Sequence, residues 1–130
     1  MPLTGATTSS RAAVLADAIA LTAFIVGGVG AHSAADSIEV FARNALPIGG
    51  AWVGVALLVG AYRPASLRRL LATWAIALPL GVVARTWWTG SWDRFGAFLG
   101  VAAGITLVFL LAGRAVATAV GSMRRAKRAR

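Results

Sequence analysis

The stretch FGAFLGVAAGITLVFLLAG, residues 95–113, contains no charged residue and no proline over nineteen positions. A helix of this length reaches about 28 Å, close to the thickness of the hydrocarbon core of a bilayer. Gly96, Gly100 and Gly104 recur at a spacing of four, so they share one face of that helix. In lipid, a face of small residues lets a neighbouring helix approach closely. The stretch therefore predicts a transmembrane helix with a packing surface along one side.

Three further apolar stretches precede this one, and together they predict an all-α fold, an integral membrane bundle of four transmembrane helices running up-down-up-down. The chain is 58% hydrophobic, which is more apolar than a soluble domain usually is. We expect a transmembrane domain at 12–115 between a short polar tail, 1–11, and a basic tail, 116–130. The second and third helices are expected to bend at Pro47 and Pro79, because proline removes a backbone hydrogen bond. The predicted spans are residues 12–31, 42–62, 67–84 and 95–113.

Short polar side chains mark the expected starts of three helices. Asp36 followed by Glu39 has the spacing of a capping box, so the second helix is predicted to begin near Asp36. Ser66 is placed to cap the third helix, and Ser91 or Asp93 to cap the fourth.

The first apolar run has an alternative interpretation as a secretory signal peptide. Arg11, the apolar residues after it and the small residues at 33–35 imitate the three regions of such a peptide. Asp17 inside the run and the three later spans argue against cleavage.

The thirteen Lys and Arg residues predict the orientation of the bundle. With the N-terminus inside, ten of them lie on the inner side and only Arg43, Arg85 and Arg94 on the outer side. The positive-inside rule then places both termini in the cytoplasm and the chain in the cell membrane. We expect the basic tail to meet anionic lipid headgroups. Nucleic acid is not an expected partner, because no aromatic residue alternates with the bases of the tail.

Asp17 is the sharpest single feature, since a carboxylate within a span costs about 2.5–3.5 kcal/mol at the helix centre. It lies six positions after Arg11, in the inner half of the first helix. We predict an ion pair with an inner arginine, either Arg63 or Arg114. A proton or ion relay and an unpaired neutral acid are the alternatives.

A second set of polar residues is expected at the outer side of the bundle. His32 and Asp36 are four positions apart near the end of the first helix, and Arg85 ends the predicted third span. With Glu39 and Arg43 they form a candidate outer cluster that titrates near neutral pH through the histidine; simple solvation is the alternative. One histidine with scattered carboxylates and no cysteine does not supply the set of ligands that a metal site usually needs. No metal and no cofactor are predicted.

Trp52 and Trp74 fall within the spans, where a buried indole N–H needs an acceptor, so they are predicted core residues. Thr73, Thr86 and Thr106 are expected to hydrogen-bond back to their own helices.

The landmarks of the chain, taken in order, resemble the uncharacterised four-span membrane family known as domain of unknown function 3054. The resemblance covers roughly residues 12–115 and implies the four-span fold, but no activity is assigned to the family. Its members tend to carry a tryptophan between the last glycine and arginine, which this chain lacks. The residues that carry the resemblance are Asp17, Gly27, Gly28, His32, Leu46, Pro47, Gly50, Trp52, Arg63, Pro64, Thr73, Trp74, Pro79, Gly81, Arg85, Phe98, Val101, Ala102, Gly113 and Arg114.

The sequence favours a small structural or accessory membrane protein that associates through small-residue helix faces, with a homo-oligomer or a larger membrane complex as the assembly. Gly50 and Gly54 supply a second such face, and we expect it to receive the face around Gly100, with another copy of the chain as the alternative. A small transporter or channel that uses Asp17 or an outer His32/Arg85 cluster is the alternative function. An enzyme is not expected, because no nucleophile, metal set or acid–base pair is recognisable.

Overall fold

The computed structural model describes residues 9–30 and 37–130, apart from the side chain of Val29. Four helices are present in this part of the chain, and the all-α class is confirmed. Each helix is long and apolar enough to cross a membrane, by length and composition. The up-down-up-down order and the bends at Pro47 and Pro79 stay predictions. The elements are α1 (Ser10–Val29), α2 (Ser37–Val59), α3 (Leu67–Thr89), a 3₁₀ turn (Trp92–Arg94) and α4 (Phe95–Arg128).

Helix α3 runs past the predicted end at residue 84 and stops at Thr89. The prediction that the connection begins at Arg85 is therefore wrong. The helix can continue because no glycine or proline interrupts residues 82–89. Gly90 ends the helix with φ of 68°, a left-handed conformation that glycine adopts without steric cost. Its N–H donates to the carbonyl of Thr86 at 2.8 Å.

Helix α4 likewise continues beyond the predicted end at residue 113 and reaches Arg128. The residues after Gly113 are mostly alanine, arginine and lysine, which favour helix. Arg125, Lys127 and Arg128 occupy the last turn, where positive charge complements the helix dipole. The basic tail is therefore helical over most of its length.

The predicted caps are confirmed at one helix and wrong at another. The hydroxyl of Ser66 accepts from the backbone N–H of Arg69 at 3.3 Å and caps α3. Neither Ser91 nor Asp93 caps α4, which begins without a side-chain cap. The hydroxyl of Ser91 lies instead 2.6 Å from the hydroxyl of Thr89, and the 3₁₀ turn separates Ser91 from α4.

The core lies mainly between α2 and α3 and between α1 and α4. Two clusters of buried apolar side chains fill it. The first includes Leu21, Trp52, Val55, Leu70 and Leu110. The second includes Ile48, Leu78, Val82 and Ala102.

Two glycines outside the predicted packing faces lie where one helix packs tightly on another. A Cβ atom added at Gly81 would lie 2.8 Å from the Cα atom of Ile48, so α3 meets the backbone of α2 there. A Cβ atom at Gly113 would lie 3.2 Å from the carbonyl oxygen of Ala16, which brings α4 onto α1. At Gly81 a side chain would force the helices to shift, whereas at Gly113 the contact would be tight and α1 would have to give way by a few tenths of an ångström.

The glycine faces that the sequence singled out point away from the other helices. A Cβ atom at any of Gly50, Gly54, Gly96, Gly100 or Gly104 would have nothing within 4 Å among the described residues. The first-choice prediction, that these two faces pack on each other within the chain, is therefore wrong.

The physical reason lies in the register of α4. Its buried face carries Ala102, Thr106, Leu110 and Arg114, which are also spaced by four. This face is offset from Gly100 by two positions, roughly 200° around the helix.

Candidate functional site

A buried ion pair joins α1 to α4 in the interior of the bundle. Asp17 is 1% exposed and Arg114 is 8% exposed. Nε of Arg114 donates to Oδ1 of Asp17 at 2.8 Å, and Nη2 donates to Oδ2 at 2.8 Å. This two-pronged geometry is the strongest that a guanidinium and a carboxylate can adopt. The predicted ion pair is thus confirmed with Arg114, whereas Arg63 is exposed.

Two aromatic side chains extend this pair into what we term the carboxylate network, formed by Asp17, Arg114, Tyr62 and Trp52. The hydroxyl of Tyr62 donates to Oδ2 of Asp17 at 2.9 Å. Nε1 of Trp52 donates to the Tyr62 hydroxyl at 3.2 Å. Burial is the largest cause that raises the pKa of Tyr62 above its ordinary value, so the hydroxyl keeps its proton and remains a donor.

The connection between α2 and α3 is folded so that Tyr62 reaches Asp17. Gly60 ends α2 with φ of 65° and turns the chain. Nη1 of Arg69 donates to the carbonyl oxygen of Gly60 at 2.9 Å and also to that of Arg63. The hydroxyl of Ser10 donates to the carbonyl oxygen of Tyr62 at 2.6 Å. These contacts fix the backbone on both sides of the tyrosine.

The carboxylate network is suited to holding helices together. Asp17 accepts two hydrogen bonds from Arg114 and one from Tyr62, and the charges of the ion pair cancel. In a buried setting, removing one partner of such a pair costs about 3–5 kcal/mol, because the other charge is left uncompensated. The network therefore links α1, α4 and the α2–α3 connection in one unit.

A second group, which we term the amide network, consists of Arg85, Asn44 and Phe98. Nε of Arg85 donates to Oδ1 of Asn44 at 2.7 Å. Nδ2 of Asn44 donates to the carbonyl oxygen of Val40, one turn back on α2, at 2.8 Å. The guanidinium carbon of Arg85 lies 3.9 Å from the centroid of the Phe98 ring. The network joins α2, α3 and α4 without a carboxylate.

Only part of the predicted outer cluster can be placed. His32 and Asp36 lie outside the described residues. Glu39 and Arg43 are 3.6 Å apart on successive turns of α2 and form an exposed ion pair. Arg85 belongs to the amide network and makes its hydrogen bond to an asparagine that the sequence analysis did not single out.

The tryptophan N–H groups have the acceptors that were predicted, and two of the three threonines donate to their own helices as expected. Nε1 of Trp74 donates to the hydroxyl of Thr106 at 3.1 Å, which confirms the expected acceptor. Thr106 donates to the carbonyl oxygen of Ala102 at 2.6 Å, and Thr73 to that of Arg69 at 2.8 Å. Thr86 differs, since its buried hydroxyl has no hydrogen-bond partner among the described residues.

Sequence reasoning missed Tyr62 and Asn44, each of which completes a network. Asn44 carried a usable signal, because an amide at the start of an apolar span needs partners. Tyr62 lies at the predicted end of the second span, where a tyrosine is ordinarily an interfacial residue.

The helices and the two networks define a small multi-pass membrane protein whose charged residues within the spans hold one helix to another. The family model described as "Protein of unknown function (DUF3054)" matches residues 14–117. The chain belongs to this family, and the resemblance drawn from its landmarks is confirmed. The match includes every member of the carboxylate and amide networks. No curated protein and no solved structure matches the chain.

Proposed function

We propose that the chain is a small structural or accessory protein of the membrane, with no enzymatic activity of its own. The observation that carries this proposal is the state of Asp17. Its oxygens accept from Arg114 and Tyr62 inside the bundle. A carboxylate that carried protons or ions would need an opening to a water-filled path. Asp17 lines neither of two surface grooves beside α4, and of the carboxylate network only Arg114 reaches one of them.

The proposed association surface is the outward glycine face of α4, formed by Gly96, Gly100 and Gly104. Since nothing of the described chain lies within 4 Å of a Cβ atom placed there, the face has room for another helix. Close packing is a main force between helices in lipid, and small residues permit it. A second copy of the chain or a helix of a larger membrane complex fits this surface.

We place the protein in the cell membrane with both termini in the cytoplasm. Ten of its thirteen bases then lie on the inner side. Trp87 and Trp88 at the end of α3 and Trp92 in the 3₁₀ turn are exposed, and aromatic rings there suit the opposite membrane interface. Beyond Met123, the exposed bases of the tail face the anionic headgroups of the cytoplasmic leaflet.

A small transporter or channel has less support. Asp17 and Arg85, the residues on which that function would depend, belong to separate networks with different partners. Neither residue lines either groove beside α4.

Cysteine cross-linking tests the association surface, because the native chain has no cysteine. We expect Gly100→Cys to form disulfide-linked pairs of chains in native membranes under oxidation. The matched control is Ile105→Cys, which is also exposed but lies about 140° away around the helix. It should give few pairs. Equal cross-linking at both positions, or none at Gly100→Cys, would contradict self-association through this face.

A further inference from the structure

A long open groove with a volume of about 800 Å³ runs between α1 and α4. This volume lies within the range of sites that hold small molecules, roughly 300–1,000 Å³. Its walls are apolar, and many of the side chains that form them are small. They include Leu15 and Ile19 of α1 and Phe109, Ala112, Val116 and Ala117 of α4.

One end of the groove is strongly basic. Arg124, Arg125 and Arg128 line it and are all exposed. No acidic residue lines the groove. Three guanidinium groups beside an apolar groove complement a ligand with an anionic head and a hydrocarbon chain.

The basic end lies at the depth expected of phosphate groups. Ser9 lines the groove and caps α1 by accepting from the N–H of Ala12, so the apolar part of α1 begins there. Gly113 packs on Ala16. In the predicted up-down-up-down order, Arg124 therefore lies just beyond the level at which α1 starts, because it follows Gly113 by eleven positions whereas Ser9 precedes Ala16 by seven.

We propose that this groove binds one anionic phospholipid, with its phosphate on Arg124, Arg125 and Arg128 and an acyl chain along Leu15 and Val116. This site rests on the contact between the basic tail and anionic headgroups that we proposed above, and makes that contact more specific. It adds a defined site, since diffuse attraction of a basic tail needs no groove.

A second copy of the chain does not suit the basic end of the groove. Each carboxylate among the described residues is already within ion-pair distance of an arginine of its own chain. Among the described residues, a copy would therefore offer the three arginines no acidic side chain that lacks an arginine of its own. A phosphate group supplies the missing negative charge and several hydrogen-bond acceptors.

Native mass spectrometry of the purified full chain in detergent tests the site. Phosphatidylglycerol and phosphatidylcholine with the same acyl chains are added in equal amounts. We expect one retained phosphatidylglycerol per chain and a preference of more than about tenfold over phosphatidylcholine, because each base near a headgroup contributes a factor of about five. In the double variant R124Q/R128Q this preference should fall to about fivefold or less, since only Arg125 remains at the basic end.

A matched control separates the groove from the charge of the tail. The double variant K127Q/R130Q also removes two positive charges, but neither residue lines the groove. It should keep most of the preference. Gly121→Phe gives a second, independent variant, because Gly121 lines the groove and a Cβ atom there has nothing within 4 Å, so the ring is expected to take up space in the groove. It should lower retention of both lipids.

The outcomes distinguish the site from the broader tail contact. Equal loss of preference in both double variants, or retention unchanged in Gly121→Phe, would overturn the groove site and leave attraction by the tail as a whole. Pairs of chains that carry no lipid and that Gly121→Phe disrupts would identify a second copy as the occupant of the groove and overturn the proposal, because Gly121 lines the groove and Gly100 does not. No preference in the native chain would overturn both the site and the tail contact.

Discussion

The carboxylate network and the amide network both bring an arginine into a transmembrane bundle, but they supply different partners. Arg114 is almost fully buried and is neutralised by Asp17 through two hydrogen bonds. Arg85 is only partly buried and makes its hydrogen bond to the neutral amide of Asn44, with the face of Phe98 beside its guanidinium group. The buried arginine is thus paired with a carboxylate of opposite charge. The partly exposed arginine is instead stabilised by the dipole of an amide and by an aromatic ring.

The different burial of the two arginines indicates which of their contacts contributes more to the stability of the bundle. Water and headgroups can still reach part of Arg85, so the loss of Asn44 leaves it with other partners. Arg114 has little such access, so the loss of Asp17 leaves an uncompensated charge in a medium of low dielectric constant. We therefore expect substitutions in the two networks to differ in size.

The largest effect is expected from Asp17→Asn, which keeps the shape of the side chain and removes its charge. The free energy of unfolding should fall by about 3–5 kcal/mol, because Arg114 stays buried without a counter-charge. Thermal unfolding in detergent, followed by circular dichroism, measures this. Arg63→Gln is the control, since Arg63 is exposed and should change stability by no more than about 0.5 kcal/mol.

A smaller effect is expected from Asn44→Ala in the amide network. The change removes the acceptor of Arg85 and a donor to the carbonyl oxygen of Val40. We expect a loss of about 1–3 kcal/mol, the usual cost of leaving a buried polar group unpaired. The same unfolding measurement applies. A loss as large as that of Asp17→Asn would break the contrast between the two networks.

The sequence was sufficient to predict those features that the chemistry of single residues determines. A carboxylate in an apolar span needs a counter-charge, and few arginines lie near the depth of Asp17, so a pair with Arg63 or Arg114 could be predicted, though not which of the two. The helices themselves followed from apolar length. Their ends did not, since α3 continues past Arg85 to Thr89 and ends only where Gly90 turns the backbone.

Tertiary geometry decided the remaining features. Spacing shows that Gly96, Gly100 and Gly104 share a face, but the buried face of α4 has the same spacing and lies on the other side. The glycines that do meet a neighbouring helix, Gly81 and Gly113, belong to no such repeat. Tyr62 joins Asp17 only because the α2–α3 connection turns at Gly60, which a reading of periodicity does not specify.

The central claim is that the ion pair between Asp17 and Arg114 holds the bundle together. A double-mutant cycle with Asp17→Asn, Arg114→Gln and the double variant, measured by unfolding in detergent, tests it most directly. We expect each single variant to be strongly destabilised and the double variant to recover part of the loss, with a coupling energy of about 1–3 kcal/mol. Additive losses with no coupling between the two positions would contradict the account.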